Sequence, residues 1–327
     1  MKIAFLTETQ FRGKWPINFP NTRTEIAWQL TLDADHYHIR DWNCVSGYDY
    51  VFLILPKGGV YLNSEGKTLT DDKNVFSELF SSTIISDLKR TNRKICSMQE
   101  GPVWYVNDLT LEDQFNFYNL LSECDILFSH NDVDQKWYKG LFPTKQVETM
   151  PSLMLTHLID HIVPSREDKI LIGGNFSRWY GGFQSYVVAN ELNLPMYVQT
   201  SHSSRVGEEH IPNLTVLPRL SWLDWMKTLS TFKLAIHLMP TVAAGTFSLN
   251  CAYFGIPCIG NQRMDTQRLC FPDTSVDVED VEKSRNIAVQ LISDVDFYQE
   301  VCEKAKENFE KHFSVNIYKQ RMKNILK

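Results

Sequence analysis

Apolar and polar positions along this chain fall into blocks that switch between a strand-like and a helix-like period. Lys2 to Thr7 and the run YVFLIL at Tyr50 to Leu55 are nearly continuous apolar stretches, which predicts strands covered on both faces. Between them, Glu25 to Leu32 reads as a short helix and His36 to Asp41 as a second strand. The pattern continues with a helix over Val75 to Arg90, a strand over Lys94 to Met98, a helix over Leu111 to Glu123 and a strand over Asp125 to Ser129. Such alternation predicts a parallel, doubly wound sheet. Prolines and polar residues then interrupt it from Phe142-Pro143 through Pro151 to Asp168, as an interdomain passage would.

A second alternation restarts at Lys169, with a strand, the loop NFSRWYGG, a helix over Phe183 to Leu192 and a strand over Met196 to Thr200. Strands over Thr215 to Leu217 and Lys233 to Leu238 flank a helix over Leu223 to Thr231, and three helices beginning at Val278, Asp296 and Val315 close the chain. The expected architecture is α/β, with two Rossmann-like domains facing across a cleft, residues 1–165 and 166–327.

Composition narrows the function classes. A chain of 327 residues with 43% hydrophobic content exceeds one ordinary domain and has ample core-forming residues. Its net charge of −6 lacks the basic excess of a dedicated nucleic-acid binder, though a local basic cleft stays open. Seven scattered cysteines, none in a Cys-x-x-Cys pair, read as small buried residues in a reducing compartment. MKIAFLTET turns polar too soon for a signal peptide, and no apolar run reaches the ~18 residues of a membrane span. A cytoplasmic monomer without membrane contact is expected.

The stretch PTVAAGTFSLNCAYFGIPCIG, Pro240 to Gly260, reads as loop, helix and buried strand. Gly245 at the helix entrance leaves room for a close approach, and Thr246 and Ser248 add hydroxyls where first-turn N–H groups favour an anion. Gly173-Gly174, followed by Asn175, Ser177 and Arg178, forms a similar turn after the first strand of the second half. Two such turns on neighbouring strands point to a bound phosphate; an ordinary βα turn with a surface Arg is the alternative.

Gly loop, VLPRLSWLDWMKTLS, KLAIHLMP and AAGTFSLNCAYFGIPCIG, in this order, resemble the nucleotide-sugar domain of GT-B glycosyltransferases. The resemblance implies a UDP-sugar donor, with Arg219 and Leu220 holding the base through backbone groups. Met239, Gly245, Thr246, Phe247, Ser248 and Asn250 would line the ribose and phosphates. Many retaining members carry two acids flanking this turn with seven residues between them; Val242 and Asn250 stand there in this chain. In the N-terminal half, MKIAFLTET, YDYVFLILPKGGVYL and KICSMQEGP are similar to the DNA β-glucosyltransferases of T-even bacteriophages, which glycosylate 5-hydroxymethylcytosine. That likeness implies double-stranded DNA carrying this base as acceptor, glucose or a pentose such as arabinose as the sugar, and host cytoplasm as the setting.

An inverting transfer needs one carboxylate to take the acceptor proton while the diphosphate leaves. Glu100, after the Lys94 strand, matches the family's base; a capping or surface carboxylate is its plainer role. Glu8 and Asp108 are reserves. Phe11, Arg12, Lys14 and Trp15, with Lys57 and Tyr61 from the third-strand loop, could form an acceptor wall for a flipped base, or simply a polar loop. No Asp-x-Asp triplet suggests a metal site; Asp71-Asp72 suits a solvated face, and Mg²⁺ would act only loosely on the diphosphate. His130, His202 and His237 are set against core or loop roles, Trp222 and Trp225 against core packing. Rival readings are a transferase for surface glycans or small acceptors, a nucleotide-sugar epimerase, and a non-catalytic sugar-nucleotide or DNA-binding module.

Overall fold

The computed structural model describes the chain apart from residues 8, 20–23, 56–81, 100, 175, 177–179, 200–206 and 208–209. It divides into two compact units, one formed by most of residues 1–150 with Lys319–Lys327, the other by Pro151–Tyr318. Each is built on a six-stranded sheet whose strand pairs are all parallel among the described residues.

In the first unit the order along the chain is β1 (Ile3–Thr7), α1 (Thr24–Leu32), β2 (Asp35–His38), β3 (Tyr50–Leu55), α2 (Ser82–Thr91), β4 (Lys94–Gln99), α3 (Leu111–Glu123), β5 (Ile126–Ser129), α4 (Asp132–Leu141) and β6 (Gln146–Thr149). The sheet runs β2-β1-β3-β4-β5-β6. The strand period of two sorts its apolar run onto both faces. Val51, Leu53 and Leu55 join Ala4 and Leu6 in a core with Ile85 and Leu88 of α2 and Phe117 and Leu121 of α3. On the opposite face Phe5 stacks on Phe52 at 4.6 Å, and Trp28 of α1 meets Phe52 and Phe128 edge-on at 6.4 and 5.7 Å. Helices on both faces explain why YVFLIL shows no polar alternation.

Two expectations are corrected. The second strand ends at His38, because the His38 side chain accepts a hydrogen bond from the Arg40 N–H and starts a 3-10 turn over Ile39–Cys44. The Phe142 to Pro151 passage contains a strand, β6, which pairs with β5 and buries Val147.

The second unit contains β7 (Glu167–Ile172), α5 (Gly182–Asn190), β8 (Met196–Gln199), β9 (Leu214–Leu217), α6 (Trp222–Leu229), β10 (Phe232–His237), α7 (Thr246–Phe254), β11 (Cys258–Asn261), α8 (Asp265–Cys270), β12 (Ser275–Val276), α9 (Val281–Ser293) and α10 (Val295–Phe313). A last helix, α11 (Val315–Ile325), ends the chain. The sheet order is β12-β11-β10-β7-β8-β9, so the chain leaves β7 toward β8 on one side and returns to β10 on the other. The carboxyl ends of β7 and β10 therefore form a topological switch point, where open α/β sheets bind ligands.

Candidate functional site

Two helices begin at that switch point, and neither has a side-chain cap. α5 follows Gly181 and α7 follows Gly245, both left-handed residues, with φ of 68° and 71°. The first intrahelical bond of α7 runs from the Leu249 N–H to the Gly245 carbonyl at 3.2 Å, leaving the first-turn N–H groups of Thr246, Phe247 and Ser248 outside the helical ladder. Their partial positive charge makes this end suited to an anion.

The glycine at the α7 entrance serves packing. A Cβ on Gly245 would lie 1.9 Å from Oγ1 of Thr266, on α8. The Thr266 hydroxyl donates to the Gly245 carbonyl at 2.9 Å and sits 2.9 Å from Ser248 Oγ. Ser248 is fully buried, with its own hydroxyl 3.2 Å from the same carbonyl. Its oxygen is thus committed to the protein. Thr246 is exposed, 2.8 Å from the Ser152 hydroxyl. Gly173 closes a second approach: a Cβ there would meet His237 at 2.6 Å and Phe247 at 2.8 Å, while one on Gly174 would meet Tyr180 at 2.8 Å.

His237 ends β10 with its ring edge-on to Phe247, centroids 4.7 Å apart. It is 7% exposed, and its Nε2 has no hydrogen-bond partner among the described residues. Burial alone pushes its pKa down to about 4, so the imidazole is neutral at ordinary pH. One turn along α7 from Phe247, Asn250 is 3% exposed and its Oδ1 is likewise unpartnered. Met239 is buried and its carbonyl accepts from Asn261 Nδ2 at 2.9 Å, which fixes the loop leaving β10. Arg219 is exposed and Leu220 half-buried, immediately before the Ser221 cap of α6. Asn175, Ser177 and Arg178 lie outside the described residues. Thr266 carried no signal in the sequence, because its role depends on a tertiary contact across 21 positions.

In the first unit, the segment after β1 folds back on the sheet edge. Gly13 and His36 form an antiparallel bridge, with N···O distances of 2.9 and 2.8 Å. His36, fully buried, lies 2.6 Å from the Phe11 carbonyl through Nδ1 and 2.7 Å from Thr7 Oγ1 through Nε2. Neutral imidazole satisfies both when Nδ1–H donates and Nε2 accepts; burial lowers its pKa to about 4 against the opposing pull of the Phe11 bond. Phe11 stacks on Trp15 at 3.8 Å, and Trp15 Nε1 donates to Gln29 Oε1 at 2.9 Å. Arg12 is exposed, its guanidinium 5.5 Å from the Tyr37 ring centre. Lys14 is carried down β2 to Asp33, bonding Oδ1 at 2.7 Å. Since Asp33 precedes β2, Lys14 lies toward the amino end of that strand. Phe11 and Trp15 are brought together, whereas Lys14 is led away from the carboxyl edge.

Glu100, Glu8, Lys57, Tyr61, Asp71, Asp72 and His202 lie outside the described residues. Asp108 ends the 3-10 turn Val103–Asp108, and His130 is buried just beyond β5. Trp225 is buried on α6, its ring 6.4 Å from Phe247. Among the described residues no cluster of His, Cys, Asp and Glu could hold a metal ion, and no helix is long and apolar enough to cross a membrane.

No protein-family model matches this chain, and no curated protein matches it by sequence. Solved structures do. An alpha-glucosyltransferase in complex with UDP and a 13-mer DNA containing an HMU base aligns with TM-score 0.67 and 13% identity, over 100% of this chain and 99% of that one. Anabaena HepE in complex with UDP aligns with TM-score 0.65 and 10% identity, over 100% and 99%. Sucrose-phosphate synthase from Thermosynechococcus elongatus aligns with TM-score 0.64 and 10% identity, over 99% and 98%. With two parallel, helix-covered Rossmann-like sheets and full-length alignments of this kind, the chain has the GT-B glycosyltransferase fold.

Proposed function

We propose that this protein is a glycosyltransferase that moves a sugar from a UDP-sugar to 5-hydroxymethylcytosine in DNA. The observation that carries the donor half is the uncapped α7 N-terminus beside the Gly173 turn, at the switch point of the second sheet. A diphosphate there meets first-turn N–H groups and the helix dipole, which stabilise the charge that grows as UDP leaves. Asn250, at the second position of the acid pair, offers an amide to a ribose hydroxyl. The acceptor half rests on the N-terminal resemblance and on a structural neighbour in complex with UDP and DNA.

In the reaction, the acceptor hydroxyl oxygen bonds to the sugar's anomeric carbon as the bond from that carbon to the diphosphate oxygen breaks. The electron pair departs with UDP, and the hydroxyl proton goes to Glu100, the carboxylate following β4. Direct displacement inverts the anomeric centre. The sugar is glucose or a pentose. A second reading, transfer to a glycan or small acceptor, is favoured by neighbours such as HepE, one structure of which is a complex with UDP and glucose.

The test measures UDP release from a panel of UDP-sugars, with duplex DNA containing 5-hydroxymethylcytosine or plain cytosine. Release dependent on the modified base and lost in Glu100→Ala is expected, with an inverted linkage in the product by NMR. Release indifferent to DNA supports the glycan reading, and a retained linkage removes Glu100 as the base.

A further inference from the structure

We propose that His237 is a donor-binding residue whose Nε2 bonds a phosphate oxygen of the nucleotide, beside the Gly173 turn and the first turn of α7. This rests on the UDP-sugar reading above and adds a ligand that neither the sequence resemblance nor the glycine pattern supplied. The chain is otherwise apolar here: Ala235 and Ile236 of β10 and Leu238 just after it are all buried. A Leu or Phe in place of His237 would satisfy packing without stranding a nitrogen. A buried nitrogen without a partner is a cost that an apolar side chain would avoid, so this histidine is not explained by packing.

Its surroundings match an anionic oxygen. The ring lies against Gly173 and against Phe247, which belongs to the uncapped first turn of α7. Three buried side-chain atoms are unpartnered among the described residues of the second unit, on His237, Asn250 and Arg285. Two of them belong to β10 and α7, Asn250 lying one turn along α7 from the Phe247 that touches His237, and Arg285 has Glu191 as an ion-pair partner. A neutral imidazole still carries one N–H, which donates to a phosphate oxygen without a second buried charge. Phe247, half-buried, meets the ring edge-on at 4.7 Å.

The experiment titrates UDP into the full-length protein, its His237→Phe variant and its His237→Gln variant by calorimetry, and records thermal midpoints. His237→Phe is expected to weaken UDP roughly ten- to a hundredfold while the midpoint holds or rises, with His237→Gln in between. In unmodified protein, long-range ¹H–¹⁵N spectra should show the His237 Nε2 resonance shifting on UDP addition, a readout that does not depend on any variant folding. His237→Phe binding within twofold of wild type, with the His237 nitrogens unmoved, overturns this inference and leaves the donor reading intact. Wild-type protein that binds no UDP overturns both.

Discussion

Gly245→Ala tests whether the α7 entrance is held by the protein itself. The native φ is +71°, and the new methyl would stand 1.9 Å from Thr266 Oγ1 and 2.9 Å from its Cβ. The left-handed conformation costs an alanine about 1 kcal/mol. Relieving the overlap pushes Thr266 off the Gly245 carbonyl and the Ser248 hydroxyl, two hydrogen bonds of 2.9 Å. At about 1 kcal/mol each, these bring the total to roughly 3 kcal/mol. Thr266→Ala alone loses the same two bonds, for about 2 kcal/mol, and removes the 1.9 Å contact. The double variant then carries the backbone penalty and one shared loss, so its cost should fall short of the summed single costs by about 1–2 kcal/mol. Urea unfolding of the four proteins measures this cycle, and UDP titration shows whether the α7 turn has shifted. Strict additivity, or a Gly245→Ala cost under ~1 kcal/mol, would refute the packing account.

Three further outcomes follow from particular residues. His36 is neutral in the fold with a pKa of about 4 against an ordinary value of 6.5, so the unfolded chain takes up its proton first as pH falls; its stabilisation is complete above pH 6.5 and fades toward pH 4. His36→Gln should therefore flatten the urea-stability profile between pH 7 and 4.5 by roughly 2–3 kcal/mol, and an unchanged slope would contradict the assignment. Asn250→Ala loses no hydrogen bond at its unpartnered Oδ1, so stability should move by less than ~1 kcal/mol while UDP binding weakens roughly two- to tenfold, both read in one calorimetric series. If DNA is the acceptor, Arg12→Ala should weaken binding and lower the salt slope by about one, whereas Lys14→Ala, tied to Asp33 at 2.7 Å, should leave both near wild type; equal effects would show that both face DNA.

Most of the α/β rhythm was legible because long buried strands announce themselves. Tyr50 to Leu55 has apolar side chains on both faces, and no competing pattern produces such a run. The elements that escaped are short or marginal. β6 has four residues, one of them fully buried, at a sheet edge, and β12 has two. α8 follows β11 at once and has six residues, too few to show a helical period. The resemblance to GT-B sequences singled out Val242 and Asn250 as the positions of the family's acid pair. It could not reveal Thr266 reaching back to Gly245, nor that Gly13 would pair with His36 and carry Lys14 down the strand. Both depend on contacts between segments that local pattern does not encode.

The two sheets also differ in what their strand ends leave undone. In the first unit Thr7 Oγ1 is spent on His36, Ser129 Oγ donates to the Asn131 carbonyl at 3.0 Å, and the Asn131 side chain caps α4 by accepting from the Asp134 N–H. Among its described residues Trp28 Nε1, Gln29 Nε2 and Thr31 Oγ1 are buried without partners on α1, where Trp28 is wedged against Phe52 and Phe128. The second unit instead leaves His237 Nε2 at the end of β10 and Asn250 Oδ1 on α7, one turn from Phe247, without partners among the described residues. Buried polar groups are normally satisfied, so a pair left open at a switch point and beside an uncapped helix calls for a ligand with both acceptor and donor atoms. The nucleotide of the proposed donor has both, phosphate oxygens to take the imidazole N–H and ribose hydroxyls to donate to the amide oxygen. The proposed donor side is argued from what this chain leaves unpaired and the proposed acceptor side from resemblance, so UDP titration tests the first and the DNA-dependence assay the second.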